Sequence, residues 1–178
     1  GLALMYAELG LMDKARTVFE ELAVNEFGAI QQDALWAASI TFLVEVCSAL
    51  GDSDRADVLY RLLSPYAGYA VVASEWASFG AGSRFLGQLA GTMGRWQEAQ
   101  SHFDHALAMN ARMGAKPWLA HTQFQYAHML LERSRGGAGD IERARILLDK
   151  SETLARQLGM RSLETRIATA RRQEATQR

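Results

Sequence analysis

The chain has 178 residues, of which 49% are hydrophobic and 22% charged, a composition typical of a globular protein with a sizeable core. The formal net charge of −1 excludes a strong overall attraction to nucleic acid or anionic lipid. Cys47 is the single cysteine, which excludes an intramolecular disulfide. No apolar run reaches the ~18–20 residues of a membrane-spanning helix, and the first residues lack a signal-peptide pattern, so we expect no membrane partner and a cytoplasmic location.

Residues that favour helix dominate the long periodic segments, and Pro65 and Pro117 are the two prolines. The sequence predicts an all-α fold. The nearest approach to a strand, Ala70 to Trp76, is too short and isolated to build a sheet, and the conformation of residues 64–78 stays undefined. In chain order, helices are expected at about 2–9, 12–24, 29–50, 54–66, 77–93, 96–113, 117–134, 140–158 and 161–175.

A glycine followed five residues later by an alanine occurs four times, at spacings of 41, 43 and 45 residues: Gly10/Ala15, Gly51/Ala56, Gly94/Ala99 and Gly139/Ala144. A large apolar residue follows each alanine after four positions: Phe19, Tyr60, Phe103 and Leu148. Such self-similarity predicts stacked helical hairpins. Each glycine should end the first helix (helix A) in the left-handed conformation, and each alanine should lie where helices A and B approach most closely. Asp52 and Asp140 are placed to cap the following helices.

This pattern resembles the tetratricopeptide repeat. The third repeat matches best, with Leu86, Gly87, Gly94, Trp96, Ala99, Phe103 and Ala106. The second repeat departs from the pattern because Val44 replaces a small residue, and the fourth carries a glycine-rich insertion, "RSRGGAGD". The period exceeds the usual ~34 residues by about a quarter. The resemblance implies one domain over 1–178, an antiparallel helix-hairpin superhelical array with repeats at about 1–28, 29–68, 77–115 and 117–160 and a terminal helix at 161–176.

Two longer stretches, 65–107 and 110–160, resemble the C-terminal helical-repeat region of bacterial regulators with an AAA-like or STAND-type ATPase. That family includes LuxR-type transcriptional regulators and ATPase-fused adenylate or guanylate cyclases. The resemblance implies a sensory or partner-binding arm, with the catalytic, ATP-binding or DNA-binding parts elsewhere in the polypeptide. Gly1 already lies at or inside a helix, so we expect a fragment of a larger protein. The chain has no G-x-x-x-x-G-K-[ST], so we expect no enzymatic activity from it, and no helix-turn-helix is evident either.

In repeats of this type, helix A residues line the concave surface. Transferring that repeat register gives eight candidate groove residues: Thr41, Glu45, Ser48, Arg84, Gln88, Thr92, His121 and His128. Polar groups on otherwise apolar helices suit a peptide- or ligand-binding groove. Arg84 is the favoured contact for a ligand carboxylate, because a guanidinium binds it bidentately. For any single candidate, an ordinary solvated helix face is an equally good interpretation.

Other patterns favour structural roles. "GAGSRFLG" at 80–87 resembles a phosphate loop, but no strand is predicted before it and Gly87 fits helix A. His102/His105 and His121/His128 each share a helical face, yet the accompanying ligands of a metal site are missing, so no metal or other cofactor is predicted. Three aromatic residues near the starts of helix A segments favour packing between repeats over an aromatic ledge at a groove mouth: Trp36, Phe79 and Trp118.

The last helix carries five arginines against two glutamates: Arg161, Arg166, Arg171, Arg172 and Arg178 against Glu164 and Glu174. A polar capping helix or a linker is favoured over a nucleic-acid contact, because terminal repeats need a polar outer face. The leading hypothesis is a non-catalytic module that binds a protein segment or small effector and contacts other domains of its parent regulator. The alternative is a structural or oligomerisation arm that packs on the ATPase or cyclase domain or on a second copy.

Overall fold

The computed structural model describes residues 1–74, 77–133 and 138–176. Helices make up most of this part of the chain, which confirms the predicted all-α class in its coarse form. None of the helices in the described ranges combines the length and apolarity needed to cross a membrane. The elements in chain order are α1 (Leu2–Glu8), α2 (Met12–Phe27), α3 (Trp36–Leu50), α4 (Ser53–Leu63), a 3₁₀ turn (Ser64–Tyr66), β1 (Ala70–Ser74), β2 (Ala77–Ala81), α5 (Gly82–Thr92), α6 (Trp96–Arg112), α7 (Lys116–Arg133), α8 (Ala138–Leu158) and α9 (Arg161–Thr176).

The predicted turn chemistry holds in the first three repeats. Gly10, Gly51 and Gly94 have φ of 73°, 64° and 69°, the left-handed conformation that ends the preceding helix. The Asp52 carboxylate then accepts a hydrogen bond of 3.0 Å from the backbone N–H of Arg55, which caps α4 as predicted.

The four alanines of the repeat pattern, Ala15, Ala56, Ala99 and Ala144, are all fully buried, as expected for positions between packed helices. Of the large residues one turn later, Phe19, Phe103 and Leu148 are also buried. Tyr60 differs, because it is only half-buried and its hydroxyl lies 2.8 Å from His102 Nε2.

The expectation of no strands is wrong. β1 and β2 form an antiparallel hairpin in which Ala70 pairs with Ala81 and Val71 with Gly80. The hairpin satisfies its backbone hydrogen bonds locally, so two short strands suffice without a larger sheet. Its register is irregular on either side of Val72, which weakens the alternation that would reveal a strand. Consequently α5 begins at Gly82 instead of residue 77, and Phe79 lies on β2 instead of a helix. Residues 75–76 lie outside the described ranges.

The fourth repeat also departs from its predicted boundaries. Gly139 does not end helix A: it lies inside α8, in its first turn. Asp140 does not cap a helix start, because its carboxylate accepts two hydrogen bonds from the Arg133 guanidinium at the end of α7. The rest of the glycine-rich insertion, 134–137, is outside the described residues. Gly139 and Asp140 both lie within the helix because α8 begins at Ala138, two residues earlier than predicted.

The start of α3 differs from the expected residue 29, whereas the regular part of α2 stops near the predicted residue 24. Residues 29–35 precede α3 as a non-helical segment, in which the Asp33 carboxylate accepts a 2.8 Å hydrogen bond from the backbone N–H of Leu35. Near its end α2 is interrupted: Val24 is extended, and Asn25, Glu26 and Phe27 have φ of 52°, 55° and 63°. Three consecutive non-glycine residues in the left-handed conformation place strain in the backbone at this point.

The chain divides into two compact units, Gly1–His102 and Phe103–Arg178. The core of the first gathers apolar side chains from α1 to α5 and from β1. In the second, the rings of Phe103 and Tyr126 stack at 5.2 Å, and Ser151 Oγ on α8 donates a 2.8 Å hydrogen bond to the carbonyl of Ala120 on α7. Whether the predicted repeats form one domain with a superhelical arrangement stays a prediction.

Candidate functional site

Five of the eight predicted groove residues meet between α3 and α5 and form what we call the α3–α5 polar row: Glu45, Ser48, Arg84, Gln88 and Thr92. Residues three or four positions apart share one helix face, so each helix presents its members on one side. Glu45 Oε1 accepts hydrogen bonds from Arg84 Nη1 at 3.0 Å and from Gln88 Nε2 at 3.3 Å. Thr92 Oγ1 lies 3.3 Å from Ser48 Oγ.

The ion pair in this row is unequally exposed. The Arg84 side chain is 3% exposed and the Glu45 side chain 23%. The Arg84 guanidinium lies 4.0 Å from the centre of the Phe85 ring, and its Nη2 is 3.5 Å from the carbonyl oxygen of Phe79. A cation this deeply buried needs its counter-charge, because an uncompensated buried charge is strongly destabilising. The carboxylate that Arg84 binds is therefore one supplied by the chain itself.

Thr41, predicted for the same groove, lies outside the row. Its side chain is buried, and Oγ1 donates a 2.7 Å hydrogen bond to the carbonyl oxygen of Ala38 in the preceding turn of α3. Threonine often makes this bond within a helix, where it satisfies the hydroxyl without a partner from another element. Thr92 makes the same type of bond to the carbonyl oxygen of Gln88 at 3.0 Å but is half-buried, whereas Thr41 is fully buried and offers no polar group at the surface.

His121 and His128 lie on α7 in the second compact unit. The His121 ring stacks on Trp118 with centroids 5.5 Å apart. His128 is about half exposed, and its Nδ1 is 3.7 Å from Glu132 Oε1 one turn later. Its ring also lies 6.3 Å from that of Phe124. Both histidines thus have neighbours on their own helix, and His128 presents the more accessible polar group.

The β-hairpin borders the polar row, which the sequence did not predict. Phe79 packs edge-on against Phe42 of α3, with ring centroids 5.3 Å apart, and Val71 is buried against the same helix region. Of the other two aromatics assigned to helix starts, Trp36 packs on Tyr66 at 5.6 Å and Trp118 on His121. Phe79 thus packs between two predicted repeats, from a strand, whereas the ring contacts of Trp36 and Trp118 lie within their own repeats.

The segment 80–87 runs from the end of β2 into α5, so a strand does precede this helix, contrary to expectation, but backbone carbonyl groups lie at the N-terminus of α5. Gly82 N–H donates a 2.8 Å hydrogen bond to the carbonyl of Tyr69. A Cβ at Gly82 would lie 2.7 Å from the carbonyl oxygen of Tyr66, so only glycine fits. Carbonyl oxygens stand where a phosphate would have to bind, which agrees with the structural interpretation of this segment.

Cys47 and Tyr60, two further reactive groups, are engaged internally. Burial raises the pKa of the Cys47 thiol to about 12, and its Sγ lies 3.2 Å from the carbonyl oxygen of Asp52. Burial, followed by the nearby Glu98, raises the pKa of Tyr60. Within the described ranges, no group of three or more His, Cys, Asp or Glu side chains is arranged to hold a metal ion.

Chemically, the α3–α5 polar row offers one carboxylate, one amide and two hydroxyl groups at a half-buried surface, which suits hydrogen bonding to a polar ligand. The signal that sequence reasoning used, polar residues at helical spacing on apolar helices, found these residues but not their mutual pairing. Comparison with protein-family models, with curated proteins and with solved structures finds no match to this chain.

Proposed function

We propose that this chain is a non-catalytic, tetratricopeptide-like repeat module that binds a protein segment or small effector in a groove lined by the α3–α5 polar row. The single observation that supports this most is the contact between Glu45 of α3 and both Arg84 and Gln88 of α5. Helix A residues of successive repeats line one continuous surface in such arrays, so a row of this kind is expected at the floor of a concave face.

The exposure of the row assigns different roles to its members. Arg84 is buried, so it positions the Glu45 carboxylate and does not meet the ligand. Glu45, Ser48, Gln88 and Thr92 are half-buried, and together they offer both donors and acceptors. A protein segment presents main-chain N–H and C=O groups that such a mixture can bind, and a few well-placed polar groups in an apolar setting fix its orientation.

Selection of peptides from a random displayed library on the purified chain tests this proposal. The groove variant combines Gln88→Ala with Thr92→Ala, which removes two polar groups while the Arg84–Glu45 pair remains. Peptides that bind through the row should lose ~5- to 150-fold in affinity for this variant, since a hydrogen-bonded contact contributes ~0.5–1.5 kcal/mol and two are removed.

Gln97→Ala is the matched control, because Gln97 is exposed on α6 outside the row. The selected peptides should bind this variant as tightly as the original chain. Failure of the library to yield binders, or binders that tolerate the double substitution, would contradict a groove at this place.

The parent protein belongs to the same proposal. The stretches 65–107 and 110–160 support a multidomain bacterial signalling or transcription regulator, in which this cytoplasmic module would relay binding to an ATPase, cyclase or DNA-binding domain. The coding sequence on either side decides this point. A phosphate loop upstream or a helix-turn-helix downstream would support the family, and the absence of both features would count against it. The alternative, a structural or oligomerisation arm, is favoured by apolar side chains exposed on α1.

A further inference from the structure

The interruption near the end of α2, residues 24–27, is one turn of left-handed helix, which we call the α2 turn. Val24 is extended, and Asn25 and Glu26 follow with φ/ψ of 52°/45° and 55°/44°. Phe27 continues the turn with φ of 63°. These angles are close to those of an ideal left-handed helix, about 57° and 47°. This conformation is unfavourable for every residue with a side chain, so it persists only where contacts hold it.

Two side-chain contacts hold the α2 turn. Phe27 is buried, and its ring centroid lies 5.6 Å from that of Phe19. Glu26 Oε1 accepts a 3.1 Å hydrogen bond from Arg61 Nη2 of α4. Both side chains of this ion pair are more than half exposed, and exposed pairs contribute little to stability. The left-handed form therefore depends on one buried ring and one weak ion pair.

The sequence of α2 also fits a right-handed continuation of the helix. Four buried apolar residues recur at intervals of four: Ala15, Phe19, Ala23 and Phe27. Residues four positions apart lie on one side of a right-handed helix. If α2 continued without interruption, Phe27 would therefore still lie on the core side. Burial of this ring is compatible with either hand of the turn.

Gly28 is compatible with both forms as well. Its own φ of −64° and ψ of −16° are already right-handed. In the left-handed form a Cβ at this position would lie 2.9 Å from the carbonyl oxygen of Asn25, so this form requires the glycine. A right-handed helix accepts a side chain at every position, so the continued helix does not require it.

The repeat register supplies a second partner for Arg61. At two repeat junctions an acidic residue, five positions after a repeat alanine, binds the arginine directly before the next repeat alanine. These pairs are Glu20–Arg55 at 2.8 Å and Asp104–Arg143 at 2.9 Å. Between the second and third repeats the same positions hold Arg61 and Glu98, with the charges exchanged. In the described structure Arg61 binds Glu26, and the Glu98 carboxylate accepts a 3.2 Å hydrogen bond from the Tyr60 hydroxyl.

We propose that the α2 turn is a two-state segment. In one form it is left-handed and Glu26 binds Arg61. In the other form α2 gains one right-handed turn, Glu26 leaves Arg61, and Arg61 pairs with Glu98. A ligand or partner that binds one form more tightly shifts the balance between them, so the segment is an element to which binding can be coupled. The proposal does not rest on the groove, which lies on α3 and α5.

Backbone NMR of the full chain tests the proposal through the Cα and carbonyl chemical shifts of residues 24–28 and through relaxation dispersion, which detects exchange on the µs–ms timescale. We expect exchange at these residues in the original chain. Asn25→Ala should raise the ratio of right-handed to left-handed form by ~5- to 30-fold, because alanine is penalised in the left-handed conformation. Gly28→Ala should shift the ratio in the same direction through the close carbonyl contact. Asn25→Gly should shift it towards the left-handed form.

Glu21→Ala is the matched control, because Glu21 is exposed one turn earlier in the same helix. This variant should keep the shifts of residues 24–28. The exchange of ion pairs is tested separately: Glu26→Gln should favour the right-handed form and Glu98→Gln the left-handed form. One left-handed set of shifts without exchange, in the original chain and in both Asn25→Ala and Gly28→Ala, overturns the two states. An unchanged ratio in Glu98→Gln overturns the second partner of Arg61.

Discussion

Truncating Arg84 should destabilise the chain strongly, although the sequence assigned this residue to a ligand. At 3.0 Å and an effective dielectric of 20, the attraction between the Arg84 and Glu45 charges is about 5.5 kcal/mol. Part of this is offset by the desolvation of the guanidinium, and the exposed quarter of Glu45 keeps some hydration. We therefore expect Arg84→Met to lower the free energy of unfolding by ~2–4 kcal/mol, mainly because Glu45 loses its counter-charge.

The assay is chemical denaturation followed by far-UV circular dichroism and by tryptophan fluorescence, so that coincident transitions justify a single free energy. In a thermal scan the same loss corresponds to a lower Tm by about 5–15 °C for a chain of this size. The double variant Arg84→Met with Glu45→Gln should be more stable than Arg84→Met alone, because no unpaired carboxylate then remains.

Arg95→Met is the control for losing a charged pair at the surface. Arg95 Nη2 lies 2.7 Å from Asp57 Oδ1, but both side chains are more than 40% exposed, and such pairs contribute less than ~1 kcal/mol. If Arg84→Met costs no more than Arg95→Met, the ion pair in the α3–α5 polar row is not the structural contact that its burial indicates.

Three further predictions concern other parts of the chain. Ala99→Leu should lower the free energy of unfolding by ~1–3 kcal/mol in chemical denaturation, because Ala99 is fully buried. Ala168→Leu, at an exposed position of α9, should change stability little, and equal stabilities of the two variants would refute the repeat register. Hydrogen bonds from Arg133 lower the pKa of Asp140, so the contribution of this carboxylate to stability is present above the ordinary carboxyl pKa and is lost as the pH falls through the lowered value. In thermal scans from about pH 5 to pH 2 the original chain should therefore lose more stability than Asp140→Asn. Equal losses of stability in the two proteins would contradict this. Asn25→Gly should stabilise the chain by ~0.5–1 kcal/mol, because glycine adopts the left-handed backbone conformation of this residue without strain. Asn25→Ala should destabilise the chain in the same denaturation assay, and the reverse order of the two variants would exclude strain at this residue.

The helices and their close contacts were predictable because their causes are local or periodic. Gly51 and Gly94 adopt the left-handed conformation that a helix end requires, and Ala56 and Ala99 are buried where the pattern placed them. A glycine and an alanine at constant spacing record both facts in the sequence itself. The fourth repeat lacks this clarity, because Gly139 lies among other glycines and the spacing alone selected the wrong residue to end the helix.

The features that escaped prediction depend on an irregular strand register or on backbone strain. The hairpin joins Val71 to Gly80 with an irregular register, so neither strand shows an extended alternating pattern. The end of the second helix at about residue 24 was predicted, but the left-handed conformation of Asn25, Glu26 and Phe27 was not, because local propensity reserves positive φ for glycine and Gly28 itself has φ of −64°. Phe27 is buried against Phe19 in this conformation.

The candidate site has one part that was predictable from the sequence and one that was not. Its residues were found from spacing, but their roles follow from how α3 and α5 pack. In the repeat register Arg84 corresponds to Thr41 and Gln88 to Glu45, so Glu45 contacts its own equivalent and the residue one turn before it. A charged residue on one helix A is therefore placed to pair with the next helix A before it meets any ligand. Arg84 should accordingly affect stability, and the accessible Gln88 and Thr92 should affect binding, which makes the two experiments separate tests of structure and of function.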